Sequence, residues 1–218
     1  MNDSRSEILR RVRQALGPGD VGTRPVPRNY RRQGHLTPAE RVQLFGQRVA
    51  EYRAEVVALE SGRTVSDAVQ AVCDRQGVRR LGIPSSLPST WLPHDVELVH
   101  DIGLSPQALD ELDGALTGCT AAVAETGTIV LTAAEREGRR ALTLVPDLHI
   151  CVVQTSQIVE LVPEAIALLG EMTARQGRPI TLISGPSATS DIELSRVEGV
   201  HGPRTLVVII TEETHDAT

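Results

Sequence analysis

The sequence predicts an α/β protein built on a parallel sheet with helices covering it. Three observations carry this. Short, continuous apolar runs look like strands buried on both faces. They alternate with amphipathic helices that carry their own start signals. Only four of the 218 residues are aromatic, Tyr30, Phe45, Tyr52 and Trp91, so the core is aliphatic.

Ser4-x-x-Glu7 is a capping box, and Ile8, Leu9, Val12, Ala15 and Leu16 recur at helical spacing. Gly17-Pro18-Gly19 ends that helix. The stretch to Gly34 holds Pro25, Pro27 and the arginines Arg24, Arg28, Arg31 and Arg32, with little to bury. It reads as a mobile linker, or alternatively as a basic arm for an acidic partner. Thr37-Pro38-Ala39-Glu40 starts a second helix to about Tyr52. Val56 to Leu59 is a strand, Thr64 to Arg75 a helix stopped by Gly77, and Arg80 to Ile83 the next strand. Pro84 to Pro93 is a loop containing the single Trp91. Val96 to Val99 reads as a strand, and Ser105-Pro106 opens a helix through Leu112.

Gly118 to Asp147 reads as strand, glycine break at Glu125-Thr126-Gly127-Thr128, strand through Ile129 to Leu131, polar loop, and a further strand from Ala141 to Val145. Ile150 to Val153 is another strand. A helix follows, capped at Thr155 or Ser156 or, because Pro163 falls inside the pattern, starting at Val162. Thr181 to Ile183 is a strand running into Ser184 to Glu193, expected as strand–turn–helix. Gly199 to Pro203 is a second glycine loop, Leu206 to Ile210 a buried terminal strand. The domain reading is 1–35 helix and linker, 36–212 α/β domain, 213–218 tail.

Composition excludes several functions. The formal charge of −6 gives no general attraction to nucleic acid or anionic lipid. All 22 basic residues are Arg and none is Lys, which removes a Schiff-base lysine and a phosphate-loop lysine. Any anion must be held by Arg, backbone N–H groups or helix N-termini. Cys73, Cys119 and Cys151 are scattered without CxxC spacing, so they frame neither an iron–sulfur nor a zinc site and suit a reducing compartment. The first residues lack the apolar core of a signal peptide, and no window reaches the ~20 apolar residues of a membrane span. The expected location is the cytoplasm.

Candidate chemistry gathers at four places. Glu125 can act as acid or base, as a covalent nucleophile, or as a structural acceptor, flanked by Thr126, Gly127 and Thr128. Ser184, Gly185, Ser187, Thr189, Ser190 and Asp191 follow a strand end, where N–H groups and hydroxyls collect an anion or merely cap a helix. His149 at a strand start suits a hydrogen-bonded core residue more readily than a ligand. His201, next to Gly202, suits exposure to a pocket. No HxxxH or HExxH spacing points to a metal, and no GxSxG elbow points to a serine hydrolase.

Four motifs, AETGT at Ala124 to Thr128, LVPDLHI at Leu144 to Ile150, SGPSATSDIE at Ser184 to Glu193 and GVHGP at Gly199 to Pro203, together resemble the LUD-domain family in its lactate utilization protein C (LutC/YkgG) branch. The resemblance implies a three-layer α/β/α open sheet similar to the ribose-5-phosphate isomerase and CoA-transferase superfamily, with an N-terminal helical extension. It implies a three-protein system oxidising L-lactate to pyruvate, whose iron–sulfur clusters sit in partner subunits and not in this chain. Catalytic roles then fall on Glu125, His149 and His201, and the ligand is a small carboxylate or a phosphorylated compound. CoA-transferases of this fold use a glutamate followed by Asn-Gly; here Thr126 stands in place of Asn. A stand-alone enzyme on a sugar phosphate or acyl-CoA, and a non-catalytic assembly protein, are the alternatives.

Overall fold

Six parallel strands form the centre, in the order β1 (Glu55–Ala58), β12 (Thr205–Thr211), β7 (Leu148–Gln154), β4 (Gly114–Thr117), β2 (Arg80–Ile83) and β3 (Glu97–His100). The structure is a computed structural model describing residues 4–17, 26–59, 62–173, 177–190, 196–198 and 201–212. Met1–Tyr30 and Arg31–Thr218 are separate compact units. The first contains helix α1 (Ser4–Leu16), whose Glu7 pairs with Arg10 and Arg11 and which buries none of its residues.

In the larger unit, α2 (Pro38–Glu51) and α3 (Val65–Gln76) both begin at capping boxes, with Thr37 and Thr64 accepting from the backbone three residues on. Gly77, in the left-handed region, ends α3. Every pairing within the six-stranded sheet is parallel.

Strand periodicity divides the core in two. Leu148, Ile150, Val152, Val207 and Ile209 point to one face, where Val65, Val69, Val72 and Cys73 of α3 cover them. Cys151, Val153, Leu206, Val208 and Ile210 point to the other, against Phe45 and Val49 of α2. That second face is also covered by a smaller sheet, β8-β5-β6-β9. It comprises β5 (Ala121–Val123), β6 (Thr128–Leu131), β8 (Ile158–Val159) and β9 (Thr181–Ile183). Helix α5 (Val162–Thr173) packs Ala165 and Leu169 on its outer side. The expected α/β class and parallel sheet hold; the additional sheet was not foreseen.

Three local expectations are corrected. Ala141 to Val145 is not a strand but a run of turns, with Leu142 N donating to Arg139 O and Val145 N to Ala141 O. Burying Leu142 against Leu109, Leu112 and Ala115 selects this conformation, and a short apolar run cannot announce it. Within Ser184 to Ser190 the expected helix does not begin: β10 (Ala188–Ser190) pairs antiparallel with β11 (Arg196–Glu198). Asp191, Glu193, Gly199 and Val200 lie outside the described residues. Of the two helix starts considered, the chain uses Val162, with Thr155–Gln157 forming a single tight turn before it.

Two carboxylates fasten the chain entering α2. Glu160 accepts from His35 N at 2.5 Å and Leu36 N at 2.7 Å, and Glu164 accepts from Gly34 N at 3.0 Å. A Cβ on Gly34 would lie 2.1 Å from the Glu160 carboxylate. Short α4 (Pro106–Asp110) starts at Ser105, whose hydroxyl accepts from Ala108 N. Among the described residues, no helix is long and apolar enough to cross a membrane.

Candidate active site

His149, Ser184, Gly185, Ser187, His201 and Gly202 meet at the amino edge of the parallel sheet, on the face shared with the smaller sheet. A cleft of about 250 Å³ opens there, lined by Arg140, His149, Ser184, Ser187, His201 and Leu206 among others. His149 and Leu206 stand at the first turns of pleat in β7 and β12, side by side in register. Gly185 and Gly202 also line the cleft. Ser187 joins the two loops that form its walls. Its N–H donates to Pro203 O at 2.8 Å, and its hydroxyl accepts from His201 N at 3.1 Å. Thr189 and Ser190 belong to β10, directly after this loop.

The Glu125 corner reaches the cleft through hydroxyls. Thr126 Oγ1 lies 2.7 Å from Thr128 Oγ1, which lies 2.8 Å from Ser184 Oγ. Both turns press on the end of α2. Gly127 has φ +59, and a Cβ there would sit 2.7 Å from the Arg48 carbonyl carbon. Gly185 has φ +88, and its Cβ would sit 2.5 Å from Tyr52 Cβ. Glycine is therefore required twice, for backbone conformation and for close approach.

Glu125 itself does not line the cleft. Its carboxylate pairs with Arg31, whose guanidinium also lies 3.6 Å from the buried Glu160. Its backbone N–H donates to Glu160 O at 3.0 Å. The side chain is 44% exposed, which leaves it accessible but occupied by a cation.

His149 is fully buried, with Nε2 2.8 Å from Thr117 Oγ1. Burial, with the Arg140 guanidinium adding to it, pushes its pKa down to about 4. The imidazole in the floor of the cleft is thus neutral at pH 7. Below the ordinary histidine value of 6.5 the unfolded chain takes up a proton that the folded chain refuses, so stability falls as the pH drops from there to about 4. Between pH 7 and pH 5 this amounts to roughly 2 kcal/mol. Urea unfolding should therefore give a steeper acid loss for the native chain than for His149→Gln; parallel pH curves would mean the ring is not buried neutral.

Arg140 and Thr143 also line the cleft; the sequence reading left Arg140 in a polar loop and Thr143 in a strand, and neither drew attention. The Arg140 Nη1 donates to Thr143 O at 3.0 Å and to Thr143 Oγ1 at 3.1 Å. Burial lowers its pKa without discharging it. The preceding Arg139 grips Asp101 with two donors at 2.8 Å. Glu137, 2% exposed, accepts from Thr132 N at 2.6 Å, Ala134 N at 3.0 Å and Thr120 Oγ1 at 2.5 Å. The turn presenting Arg140 is thus fixed from three sides. The one signal available beforehand was the absence of Lys, which made some arginine necessary for any anion.

Fold and cleft together define an open-sheet α/β protein whose cleft is lined by hydroxyls and, among the described residues, by the single guanidinium of Arg140. The LUD domain model matches residues 104–211. Lactate utilization protein C of Deinococcus radiodurans is 39% identical over 212 residues, 95% of each chain. Lactate utilization protein C of an Exiguobacterium strain is 30% identical over 92% of each, and the uncharacterized protein YkgG of Escherichia coli K12 28% identical over 97% of this chain and 99% of that one. A crystal structure of a DUF162 family protein from Deinococcus radiodurans has a TM-score of 0.69 at 37% identity, covering 82% of this chain and all of the other. The chain belongs to the LUD-domain family, in its lactate utilization protein C branch.

Proposed function

We propose that the chain is a subunit of an L-lactate utilization system and binds a small 2-hydroxy or 2-oxo carboxylate in the cleft between Ser184 to Ser187 and His201 to Pro203. The observation that carries this is the placement of the Arg140 guanidinium beside a neutral His149 in a small cleft lined by serine hydroxyls. A guanidinium fork matches a carboxylate. The Ser184 and Ser187 hydroxyls supply further donors, and a neutral imidazole can accept a proton from a substrate hydroxyl. The cleft has room for about eight water volumes, enough for a three-carbon acid and its retained waters.

The names of the relatives supply the pathway: lactate utilization is what they are named for. Oxidising lactate to pyruvate releases two electrons and two protons. In this reading the electrons pass to iron–sulfur partner proteins, while this chain holds the carboxylate. Glu125 and Arg31 serve to lock the entering chain against the corner beside the cleft.

The test is lactate-dependent growth of a deletion strain carrying variants. Ser187→Ala combined with His201→Ala should fail to restore growth while leaving the melting temperature near that of the native chain. Glu125→Gln should restore it. Full growth of the double variant would remove the cleft from the pathway, and loss of growth with a stable Glu125→Gln protein would return Glu125 to the chemistry.

A further inference from the structure

Strands β4 and β7 run parallel with Ala115 beside His149, so Thr117 stands one pleat further along on the same face. Thr117 is wholly buried, and its Oγ1 lies 2.8 Å from His149 Nε2. Among the described residues neither the Thr117 hydroxyl nor the imidazole has another hydrogen-bonding partner. One of these two atoms gives the proton, and burial decides which. If Nε2–H donated, the hydroxyl would keep a proton with nothing to receive it, in a place that water does not reach. Stranded donors of that kind are rare, whereas an oxygen with an unused lone pair is tolerated more often. The hydroxyl therefore donates and Nε2 accepts. The ring is neutral at pH 7 and carries one proton, which then sits on Nδ1.

Nδ1 is the nitrogen left for the cleft, whose floor His149 helps to form. Among the described residues the buried side-chain nitrogens without a partner are Arg41 Nε and Arg48 Nε, and His149 Nδ1 is not one of them. With no described group bonded to it, Nδ1 keeps its contact with the cleft. Burial first, and the Arg140 guanidinium after it, hold the ring uncharged, and Arg140 lines the same small space. Donors from both side chains thus converge there. The capacity of a neutral imidazole to take a proton belongs to its bare nitrogen, and that nitrogen is turned inward to Thr117.

We propose that Thr117 fixes His149 as a hydrogen-bond donor to the ligand, so that the cleft selects 2-oxo acids over their 2-hydroxy counterparts. This rests on the carboxylate reading of the cleft and narrows its ligand to the oxidised form. A 2-oxo oxygen offers lone pairs and no proton, and it answers Nδ1–H while Arg140 holds the carboxylate. A 2-hydroxy group brings a proton of its own, and His149 has nothing to receive it. Thr117 is a positioning residue, acting through the ring and not on the ligand.

Nitrogen NMR of the ligand-free full chain at neutral pH, with the His149 signals assigned by their absence from His149→Gln, should show a bare Nε2 and a protonated Nδ1. Calorimetric titration should give pyruvate at least about tenfold tighter than L-lactate, the worth of one well-placed hydrogen bond. Thr117→Val keeps the shape and removes the hydroxyl. Either nitrogen can then carry the proton, so the fixed Nδ1–H signal should be lost and the preference for pyruvate should fall. Thr117→Ser should restore both. A bare Nδ1 in the native chain, or lactate bound as tightly as pyruvate with both lost in Arg140→Gln, would overturn the inference and leave the carboxylate cleft standing. Binding of neither acid, or binding unaffected by Arg140→Gln, would remove the cleft reading and this inference with it.

Discussion

Arg140→Gln should raise the dissociation constant for pyruvate and lactate at least a hundredfold, about 2.7 kcal/mol, with little loss of stability. Among the described residues Arg140 is the only arginine lining the cleft, and it is partly desolvated there, so its attraction for a carboxylate is less screened than at the open surface. Its own hydrogen bonds go to Thr143 O and Oγ1, which the glutamine amide can partly replace. The fold therefore survives while the charge does not. Arg140→Lys should recover only part of the affinity, because an ammonium lacks the planar fork. Calorimetric titration of the three proteins checks this, and equal affinity for native and Arg140→Gln would place the carboxylate elsewhere.

Glu137→Ala should destabilise the protein by about 3–5 kcal/mol. The carboxylate is 2% exposed and accepts from two backbone N–H groups and the Thr120 hydroxyl. Removing it strands these donors in a site that water cannot readily enter, and each stranded group costs about 1–3 kcal/mol. The melting temperature should fall by roughly 10 °C for a chain of this size. Glu137→Gln, which keeps one carbonyl oxygen, should fall by less than half as much. Because Glu137 fixes the turn that leads to Arg140, Glu137→Ala should also weaken carboxylate binding. A melting point unchanged in Glu137→Ala would mean that the turn is held by Arg139 and Leu142 alone.

Local signals were legible where the partner lies nearby in sequence. Thr37 and Glu40, and the start at Thr64, mark their helices within one turn. The strands of the central sheet declare themselves because burial on both faces demands unbroken apolar runs. Of the four motifs, LVPDLHI, SGPSATSDIE and GVHGP each contribute residues to the cleft lining, while AETGT reaches it only through the Thr128–Ser184 hydroxyl contact. What failed depends on distant partners. Leu142 was apolar in an apolar run, yet its burial against Leu109 and Leu112 bends the chain into turns. Ser187 to Ser190 carried hydroxyls suited to a cap, but a strand six residues further on pairs with Ala188–Ser190. β9 belongs to the smaller sheet, so the loop that follows it opens at the amino edge of the parallel one. Glu137 and Glu160 gave no warning either, since a buried carboxylate is recognisable only once its backbone donors have been folded onto it.

The most direct test of the carboxylate cleft is a crystal structure of the chain with pyruvate. The carboxylate should lie within hydrogen-bonding distance of Arg140 and of Ser184 or Ser187, with the 2-oxo group towards His149 or His201. Pyruvate bound at the Arg31–Glu125 corner, with the cleft holding only water at saturating ligand, would contradict this placement.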